Sequence, residues 1–263
     1  MRPILFHLGD HAVATYGLLA AAGWVLGICC WLRQLPHMGL RGGEREFWRG
    51  VYLLIGGALV GGKLLALAYY GAESLGALLT NFSAGFVYLG GMIGSGLCGF
   101  FYCKVKGYAF FEKADFFAAG LAIGHAVGRL GCLGAGCCHG FPTTLPWGVR
   151  FTDPAAVVFP REWLGIPLHP TQLYEVAGEV TIFLLLVYYF QRRRIAKTLA
   201  PGLVSMAYLV MYGVMRFTVD FWRGDDPTAR IGPLTTSQGI SLILIVAAAL
   251  YARRLSRARG LGA

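Results

Sequence analysis

The sequence predicts an all-α, polytopic integral membrane protein with seven transmembrane helices. Only 14% of its 263 residues are charged and 56% are hydrophobic, and the mean hydropathy is +0.59. A soluble domain carries about 25% charged residues, so this chain has too few charges to cover a water-facing surface of its size. The second observation is a series of seven apolar windows, each close to the ~20 residues that a helix needs to cross a bilayer.

The seven windows lie near residues 12–32, 50–70, 86–103, 114–131, 170–190, 202–221 and 234–252. Segment 74–85 is too short to span, and we expect it to lie at the membrane interface or to re-enter the membrane. A long segment rich in Gly, Pro and Cys, 132–168, separates the fourth and fifth windows. We predict a single membrane domain over residues 1–263, in which 132–168 is an external loop.

The Lys and Arg residues predict the orientation of the chain. Fifteen of them fall in loops 33–49, 104–113 and 191–201 and in the tail 253–263, whereas the alternate loops hold five. Cytoplasmic loops carry the excess of positive charge. The N-terminus is therefore predicted to lie outside and the C-terminus in the cytoplasm, which requires an odd number of spans. Because orientation accounts for the net charge of +10, we expect no nucleic-acid partner.

Several ionisable residues fall within or at the ends of the apolar windows, where an unpaired charge is costly and usually marks a functional site or a buried pair. They are Lys63, His125, Arg129, His169, Glu175, Glu179, Arg216 and Asp220. The predicted topology places most of them towards the outer leaflet. One interpretation is structural, with the pairs Arg129–Glu175 and Arg216–Asp220 tying helices together. The other is a site for a lipid phosphate, because guanidinium groups bind phosphate oxygens in a bidentate manner.

Five motifs carry a resemblance to a known family. They are Tyr16-Gly17, the GGMIG run 90–94, the GRLG run 128–131, the HPTQLYE run 169–175 and the YGVMRF run 212–217. In this order, and over most of its length, the chain resembles the bacterial prolipoprotein diacylglyceryl transferase family.

The resemblance implies a phosphatidylglycerol-dependent transferase. Such an enzyme moves the diacylglyceryl group onto the thiol of the lipobox cysteine in the signal-peptide region of a prolipoprotein and releases glycerol phosphate. It also implies a multi-pass protein of the bacterial inner membrane with its active site towards the outer leaflet. We expect a monomer that needs no cofactor and no metal.

The resemblance also assigns site residues. Arg129 and Arg216 match the family's functional arginines and are predicted to be catalytic. The predicted substrate-binding residues are Tyr16, Lys63, Cys132, Gly140, His169, Gln172, Tyr174, Glu175, Tyr212 and Arg223.

The chain departs from the family pattern at three positions. Leu89 stands where the family usually has a histidine that is proposed as the base, Cys132 replaces an asparagine, and Lys63 replaces an arginine. Since leucine cannot accept a proton, we predict that His139 acts as the catalytic base, because imidazole is the natural proton acceptor near neutral pH.

The segment that contains His139 has alternative interpretations. Cys132, Cys137, Cys138 and His139 fall within eight residues. The cysteines could form a disulfide, most simply from Cys132 to Cys137 or Cys138. They could bind a soft metal ion, although the spacing lacks the C-x2-C pairs of known zinc modules.

Two other functions remain open at this point. A diverged paralogue could use the same lipid cleft with a different acceptor. Alternatively, the protein could bind or transport lipids without catalysis. Transporters tend to show inverted repeats and helices broken at the midplane, and we see neither pattern in this sequence.

Overall fold

A computed structural model of the chain describes residues 2–9, 11–70, 88–224, 230–231 and 233–258. The structure divides into two compact units, one formed by Met1–Arg33 with Ala114–Ala263 and the other by Gln34–Lys113. The helices are α1 (Thr15–Gln34), α2 (Gly43–Tyr70), α3 (Tyr88–Lys106), α4 (Phe110–Ala135), α5 (Thr171–Leu185), α6 (Arg192–Ile195), α7 (Leu203–Val219) and α8 (Thr236–Ala258). A π-helical turn at Leu186–Gln191 joins α5 to α6.

The helices support the predicted membrane protein. Among the described residues, six helical segments are long and apolar enough to cross a membrane: Thr15–His37, Gly43–Ala68, Phe110–Ala135, Thr171–Ile195, Leu203–Trp222 and Thr236–Leu255. Fewer than half of the residues in each apolar stretch are buried inside the protein. Apolar side chains such as Val25, Leu64 and Ile243 are instead 60–70% exposed, as expected for surfaces that face lipid.

The remaining predicted window, 86–103, coincides with α3, although this helix is not among the six. Its role as a transmembrane span stays a prediction. The predicted interfacial segment 74–85 lies outside the described residues.

Within the described residues, three short antiparallel hairpins accompany the helices and were not predicted. They pair β1 (Ile4–Leu8) with β2 (His11–Ala14), β3 (Val149–Arg150) with β4 (Pro167–Leu168), and β5 (Arg230–Ile231) with β6 (Leu234–Thr235). The helix α4 continues to Ala135, so the first residues of the predicted external loop 132–168 are helical, and the external position of this segment stays a prediction.

The loop after α4 folds around a small core of its own. Phe151, Ala156, Val158 and Leu168 are all at most 3% exposed and pack against one another. Burial of apolar side chains gives this segment a defined structure without an α-helix. The loop can therefore hold polar groups in fixed positions near the end of α4.

Small residues let the helices of the first unit pack closely. Ala118, Ala119 and Ala122 of α4 form a buried cluster with residues of α5 and α7. On another face of α4, a Cβ atom added at Gly124 would lie 3.0 Å from the carbonyl oxygen of Gly23 in α1. Close approach of this kind is typical of transmembrane helices, in which van der Waals packing drives association.

A buried carboxylate holds the N-terminal end of α4 in place. Asp115 is fully buried, and its oxygens accept hydrogen bonds from the backbone N–H groups of Gly202 (2.6 Å) and Ser205 (2.9 Å) at the start of α7. Arg194 of α6 pairs with the same carboxylate at 3.1 Å. The negative charge thus satisfies N–H groups at a helix N-terminus, where anions are favoured, and links three helices.

In the second unit, glycines of α2 and α3 face one another where the two helices pack. Gly57 and Gly61 face Gly90 and Gly94, and a Cβ atom added at Gly94 would overlap the carbonyl oxygen of Gly57. A side chain at this position would therefore force the two backbones apart.

We predict that Gly94→Leu lowers the free energy of unfolding by about 1–3 kcal/mol, because overpacking of a tight contact costs that amount. Urea-dependent unfolding in detergent micelles would measure the change. Gly96→Leu is the matched control, since Gly96 lies on the same helix with no atom within 4 Å of an added Cβ. Equal stabilities of the two variants would contradict the prediction.

Candidate active site

The centre of the candidate site is the carboxylate of Glu175, on the second turn of α5. This side chain is fully buried. Its Oε2 lies 2.6 Å from Nε of Arg129 on α4, and its Oε1 lies 2.8 Å from Nη1 of Arg216 on α7. Nη1 of Arg223, which follows α7, is 3.3 Å from the same Oε1. One buried carboxylate therefore gathers three guanidinium groups from three parts of the chain.

Arg216 has further partners. Its Nη2 lies 3.2 Å from Oδ1 of Asp220 and donates a hydrogen bond of 3.0 Å to Oγ of Ser237 on α8. The predicted pairs Arg129–Glu175 and Arg216–Asp220 are thus both confirmed. The three arginines with Glu175 and Asp220 carry three positive and two negative formal charges, and the arginine side chains are only 12–15% exposed.

A second buried pair lies one helical turn further along the same two helices. Nδ1 of His125 on α4 is 2.6 Å from Oε1 of Glu179 on α5, and Glu179 is fully buried. His125 precedes Arg129 by four residues and Glu179 follows Glu175 by four, so each pair of positions shares a helix face. The ring centroid of Tyr212, a predicted substrate-binding residue, lies 5.8 Å from that of His125.

The N-terminus of α5 holds the cysteine-rich segment against the site. Nε2 of Gln172 donates a hydrogen bond of 2.6 Å to the carbonyl oxygen of Cys137, and Oγ1 of Thr171 donates one of 2.7 Å to that of Cys138. Both side chains are fully buried. The HPTQLYE run thus positions the cysteine loop through Thr171 and Gln172 in the first turn of α5, and the arginines through Glu175 in the second turn.

The sulfur atoms of Cys132, Cys137 and Cys138 lie within 4.8 Å of one another, and we call this group the thiol cluster. All three residues are free thiols. Nη1 of Arg129 lies 3.9 Å from Sγ of Cys132. Hydrogen bonds from the Cys132 and Cys137 thiols lower the pKa of the Cys138 thiol, and the positive charges of Arg223 and Arg129 lower it further. Cys138 is therefore the member of the cluster most disposed to ionise.

His139 is fully buried and held by backbone groups on both sides of its ring. Its Nδ1 lies 3.0 Å from the carbonyl oxygen of Gly140, and its Nε2 accepts a hydrogen bond of 3.2 Å from the backbone N–H of Phe159. This pattern requires a neutral imidazole with its proton on Nδ1. Its role as a base was predicted from the sequence, whereas its contacts are those of a residue that fixes the loop.

Gly140 occupies a position with no room for a side chain. A Cβ atom there would overlap the carbonyl oxygen of Trp222 and the side chain of His169. Its backbone N–H donates a hydrogen bond of 2.8 Å to the carbonyl oxygen of His169, and it pairs with Arg223 in an isolated β-bridge. Gly140 therefore brings the backbone of Arg223 close to the start of α5.

The predicted binding residues His169 and Tyr174 form a small network at the edge of the site. The Tyr174 hydroxyl accepts a hydrogen bond of 2.9 Å from Nε1 of Trp147 and lies 3.1 Å from Nδ1 of His169. Burial lowers the pKa of His169, which favours a neutral ring whose Nδ1 can accept a hydrogen bond from the Tyr174 hydroxyl. This network orients the first turn of α5 rather than adding a charge to the site.

The other predicted residues lie in different positions. Tyr16 lies at the start of α1, against Gly131, and its phenol interacts electrostatically with Cys132 and Arg129. Lys63 belongs to α2 in the second unit, and Leu89 lies at the start of α3. Within the first unit, the predicted site residues lie around Glu175, the thiol cluster and the start of α5. The substrate-binding roles of these residues and of Lys63 stay predictions.

Sequence reasoning did not assign Thr171, Ser237 or Glu179 to the site. A threonine or serine at a helix end gives no signal beyond capping, although here both side chains bind groups from distant segments. Glu179 was identified as an unusual charge, and its spacing of four residues from Glu175 could have placed it on the site face.

We predict that Glu175→Gln lowers the free energy of unfolding by about 3–5 kcal/mol, because it leaves three buried guanidinium groups without their shared counter-charge. Urea-dependent unfolding would measure the loss. Glu179→Gln is the matched control on the same helix face. It should lose only about 1–3 kcal/mol, since it disturbs a single hydrogen-bonded pair. Equal losses would contradict the central role of Glu175.

Comparison with known proteins identifies the family. Residues 3–253 match the family described as prolipoprotein diacylglyceryl transferase. A phosphatidylglycerol–prolipoprotein diacylglyceryl transferase of Clostridium tetani is 35% identical over 248 residues, which cover 94% of both chains. A protein of the same name from Cupriavidus metallidurans is 32% identical over 262 residues, covering 94% of this chain and 91% of its own. With a match over nearly its whole length, the chain belongs to the prolipoprotein diacylglyceryl transferase family.

Proposed function

We propose that this protein transfers the diacylglyceryl group of phosphatidylglycerol to the lipobox cysteine of a prolipoprotein. Membership of the family supports the proposal, as do the names of the relatives. The observation that carries it is the gathering of Arg129, Arg216 and Arg223 around one buried carboxylate. Three arginines on a single glutamate are well suited to bind one more anion.

The reaction forms one bond and breaks one. The thiol sulfur of the acceptor attacks the glyceryl carbon that carries the phosphate, and a C–S bond forms as the C–O bond breaks. The electron pair of that bond leaves with glycerol phosphate, and the thiol proton passes to a base or to water. The protein must therefore stabilise the leaving phosphate and help the thiol to ionise.

The charges of the site fit the first requirement. The three arginines, Glu175 and Asp220 together carry one excess positive charge, and a phosphodiester carries one negative charge. Because Glu175 and Asp220 fix the arginines beforehand, little reorganisation is needed when charge develops on the leaving phosphate. Guanidinium groups in a poorly solvated site also interact more strongly with phosphate than they would in water.

We propose further that all seven predicted windows span the bacterial inner membrane in a single monomeric domain. The helix α3 is then a span in addition to the six segments named above. The distribution of Lys and Arg supports an external N-terminus and a cytoplasmic C-terminus. In this orientation the loop after α4 is external, and the site at the start of α5 faces the outer leaflet. The expected partners are phosphatidylglycerol and the signal-peptide region of the acceptor.

The orientation predicts which positions a membrane-impermeant thiol reagent reaches in intact cells. Single cysteines in place of Thr143 and Arg193, in a background without native cysteines, are the matched pair. We expect labelling at position 143 and none at 193 until the cells are opened. Labelling of position 193 from outside would overturn the proposed orientation.

A transfer assay tests the function directly. Purified protein is mixed with phosphatidylglycerol vesicles and a peptide that contains a lipobox, and mass spectrometry detects the thioether product. A peptide with serine in place of the cysteine and vesicles of phosphatidylcholine are the two controls. If the cysteine peptide gains no diacylglyceryl group from phosphatidylglycerol, the proposed function is wrong.

We predict that Arg129→Lys and Arg216→Lys lower the transfer rate by about 10²-fold or more, because lysine keeps the charge but loses the planar fork that binds a carboxylate and a phosphate together. The same assay measures the effect. Arg150→Lys is the matched control, since the Arg150 side chain is exposed and donates a hydrogen bond to the carbonyl oxygen of Gly165 in the loop after α4. Near-normal rates in the two site variants would rule out a phosphate clamp.

The role of His139 as the catalytic base, which the sequence predicts, has a separate test. Because both ring nitrogens already contact the backbone, we predict that His139→Gln lowers the free energy of unfolding by about 1–3 kcal/mol and leaves the pH profile of transfer unchanged. A stopped assay over pH 6–8 would measure the profile. A flattened profile with unchanged stability would instead establish His139 as the base.

A further inference from the structure

The thiol cluster has the donor set and spacing of a metal site. A tetrahedral zinc ion with Zn–S distances of ~2.3 Å places its sulfur ligands about 3.8 Å apart. The sulfur atoms of Cys132, Cys137 and Cys138 all lie within 4.8 Å of one another. Modest side-chain rotations would bring even the widest pair to the required separation.

The fold holds these thiols together from outside the cluster. Gln172 and Thr171 bind the carbonyl groups of Cys137 and Cys138, and Cys138 has a left-handed backbone with φ of 59°. A residue other than glycine rarely adopts that backbone conformation unless its surroundings impose it. The loop is thus shaped so that two consecutive cysteines turn back towards Cys132 at the end of α4.

We propose that the thiol cluster binds one soft d10 cation, with Zn²⁺ as the probe, through three thiolates, and that the fourth coordination position receives the acceptor thiol. The assignment of the acceptor thiol to the fourth position rests on the proposed function. Three protein ligands with one open position are typical of catalytic zinc sites, whereas structural sites have four. His139 does not close the site, because the backbone occupies both of its ring nitrogens.

The surrounding charges favour such a site. Three thiolates and a divalent cation carry a net charge of −1, and the guanidinium group of Arg129 lies 3.9 Å from Sγ of Cys132. A metal-bound cluster would therefore be a further counter-charge for Arg129.

The proposed role would activate the acceptor thiol. A free thiol with a pKa near 8.5 is only about 3% ionised at pH 7. When the acceptor thiol binds the cation, its proton leaves for solvent, and the bound thiolate attacks the glyceryl carbon. A C–S bond forms, the C–O bond breaks, and glycerol phosphate leaves with the electron pair, without any change of oxidation state.

The first test measures binding of the metal. Full-length protein in detergent is purified under reducing conditions and dialysed against Zn²⁺ or Co²⁺. We expect one equivalent by elemental analysis and, with Co²⁺, sulfur-to-cobalt charge-transfer absorption. Cys132→Ser, Cys137→Ser and Cys138→Ser should each lose the absorption, whereas Cys29→Ser, which removes an exposed thiol of α1, should keep it. Wild-type protein that binds no metal would overturn the proposal.

The second test examines the open position. A lipobox peptide added to the Co²⁺-loaded protein should alter the charge-transfer absorption, and the same peptide with serine should not. An unaltered spectrum would overturn the assignment of the fourth ligand. Recovery of two of the three cysteines as a disulfide, from protein purified without added reductant and free of metal, would overturn the whole site.

The third test connects the site to transfer. Removal of the metal with a chelator should lower the rate about 30-fold at pH 7, the reciprocal of the free thiolate fraction, and Zn²⁺ should restore it. The difference should shrink towards pH 9, where the acceptor thiol ionises without help. An unchanged rate after chelation would overturn the role in transfer. If Co²⁺ binds and its spectrum responds to the peptide thiol but no transfer occurs, the proposed function fails while the metal site stands.

Discussion

The carboxylate of Glu175 and the guanidinium groups around it set the conditions that the rest of the first unit must meet. Placing three arginines in surroundings that are largely closed to water costs several kcal/mol per ion unless each is paired. Arg129 belongs to α4, Arg216 to α7 and Glu175 to α5, so the pairing requires the three helices to meet at one point. The tight helix contacts at alanine and glycine positions, and the tie at Asp115 at the far end of α4, keep them there.

Much of this arrangement could be predicted from the sequence, because a charge inside a membrane is costly unless it is paired with an opposite charge. Arg216 and Asp220 are four residues apart in the sequence, and the predicted topology places the opposite charges of Arg129 and Glu175 near the same leaflet. The hydrogen bond from Arg216 to Ser237 could not be predicted, since nothing in a serine on α8 indicates a partner on α7. The same holds for Asp115 and Ser205, which are 90 residues apart.

The cysteine-rich loop shows the limit of reasoning from residue types. By spacing alone, Cys132, Cys137 and Cys138 resemble no known metal module, and His139 is the natural substitute for a missing base. The structure gathers the three sulfur atoms and places the imidazole of His139 between two backbone groups, and the residue types alone indicated neither arrangement. The shape of a loop depends on contacts such as those from Thr171 and Gln172, which belong to a helix more than thirty residues away.

The first two turns of α5 fix the distance between two parts of the site. Gln172 holds the loop that carries the thiol cluster, and Glu175 holds the arginines. Three residues of helix therefore set the offset between the thiols and the guanidinium groups. Each residue of an α-helix adds about 100° of rotation and 1.5 Å of rise. A single residue gained or lost between these two positions would turn one half of the site away from the other. The spacing within the HPTQLYE run is thus a measure of distance in three dimensions as well as a sequence signature.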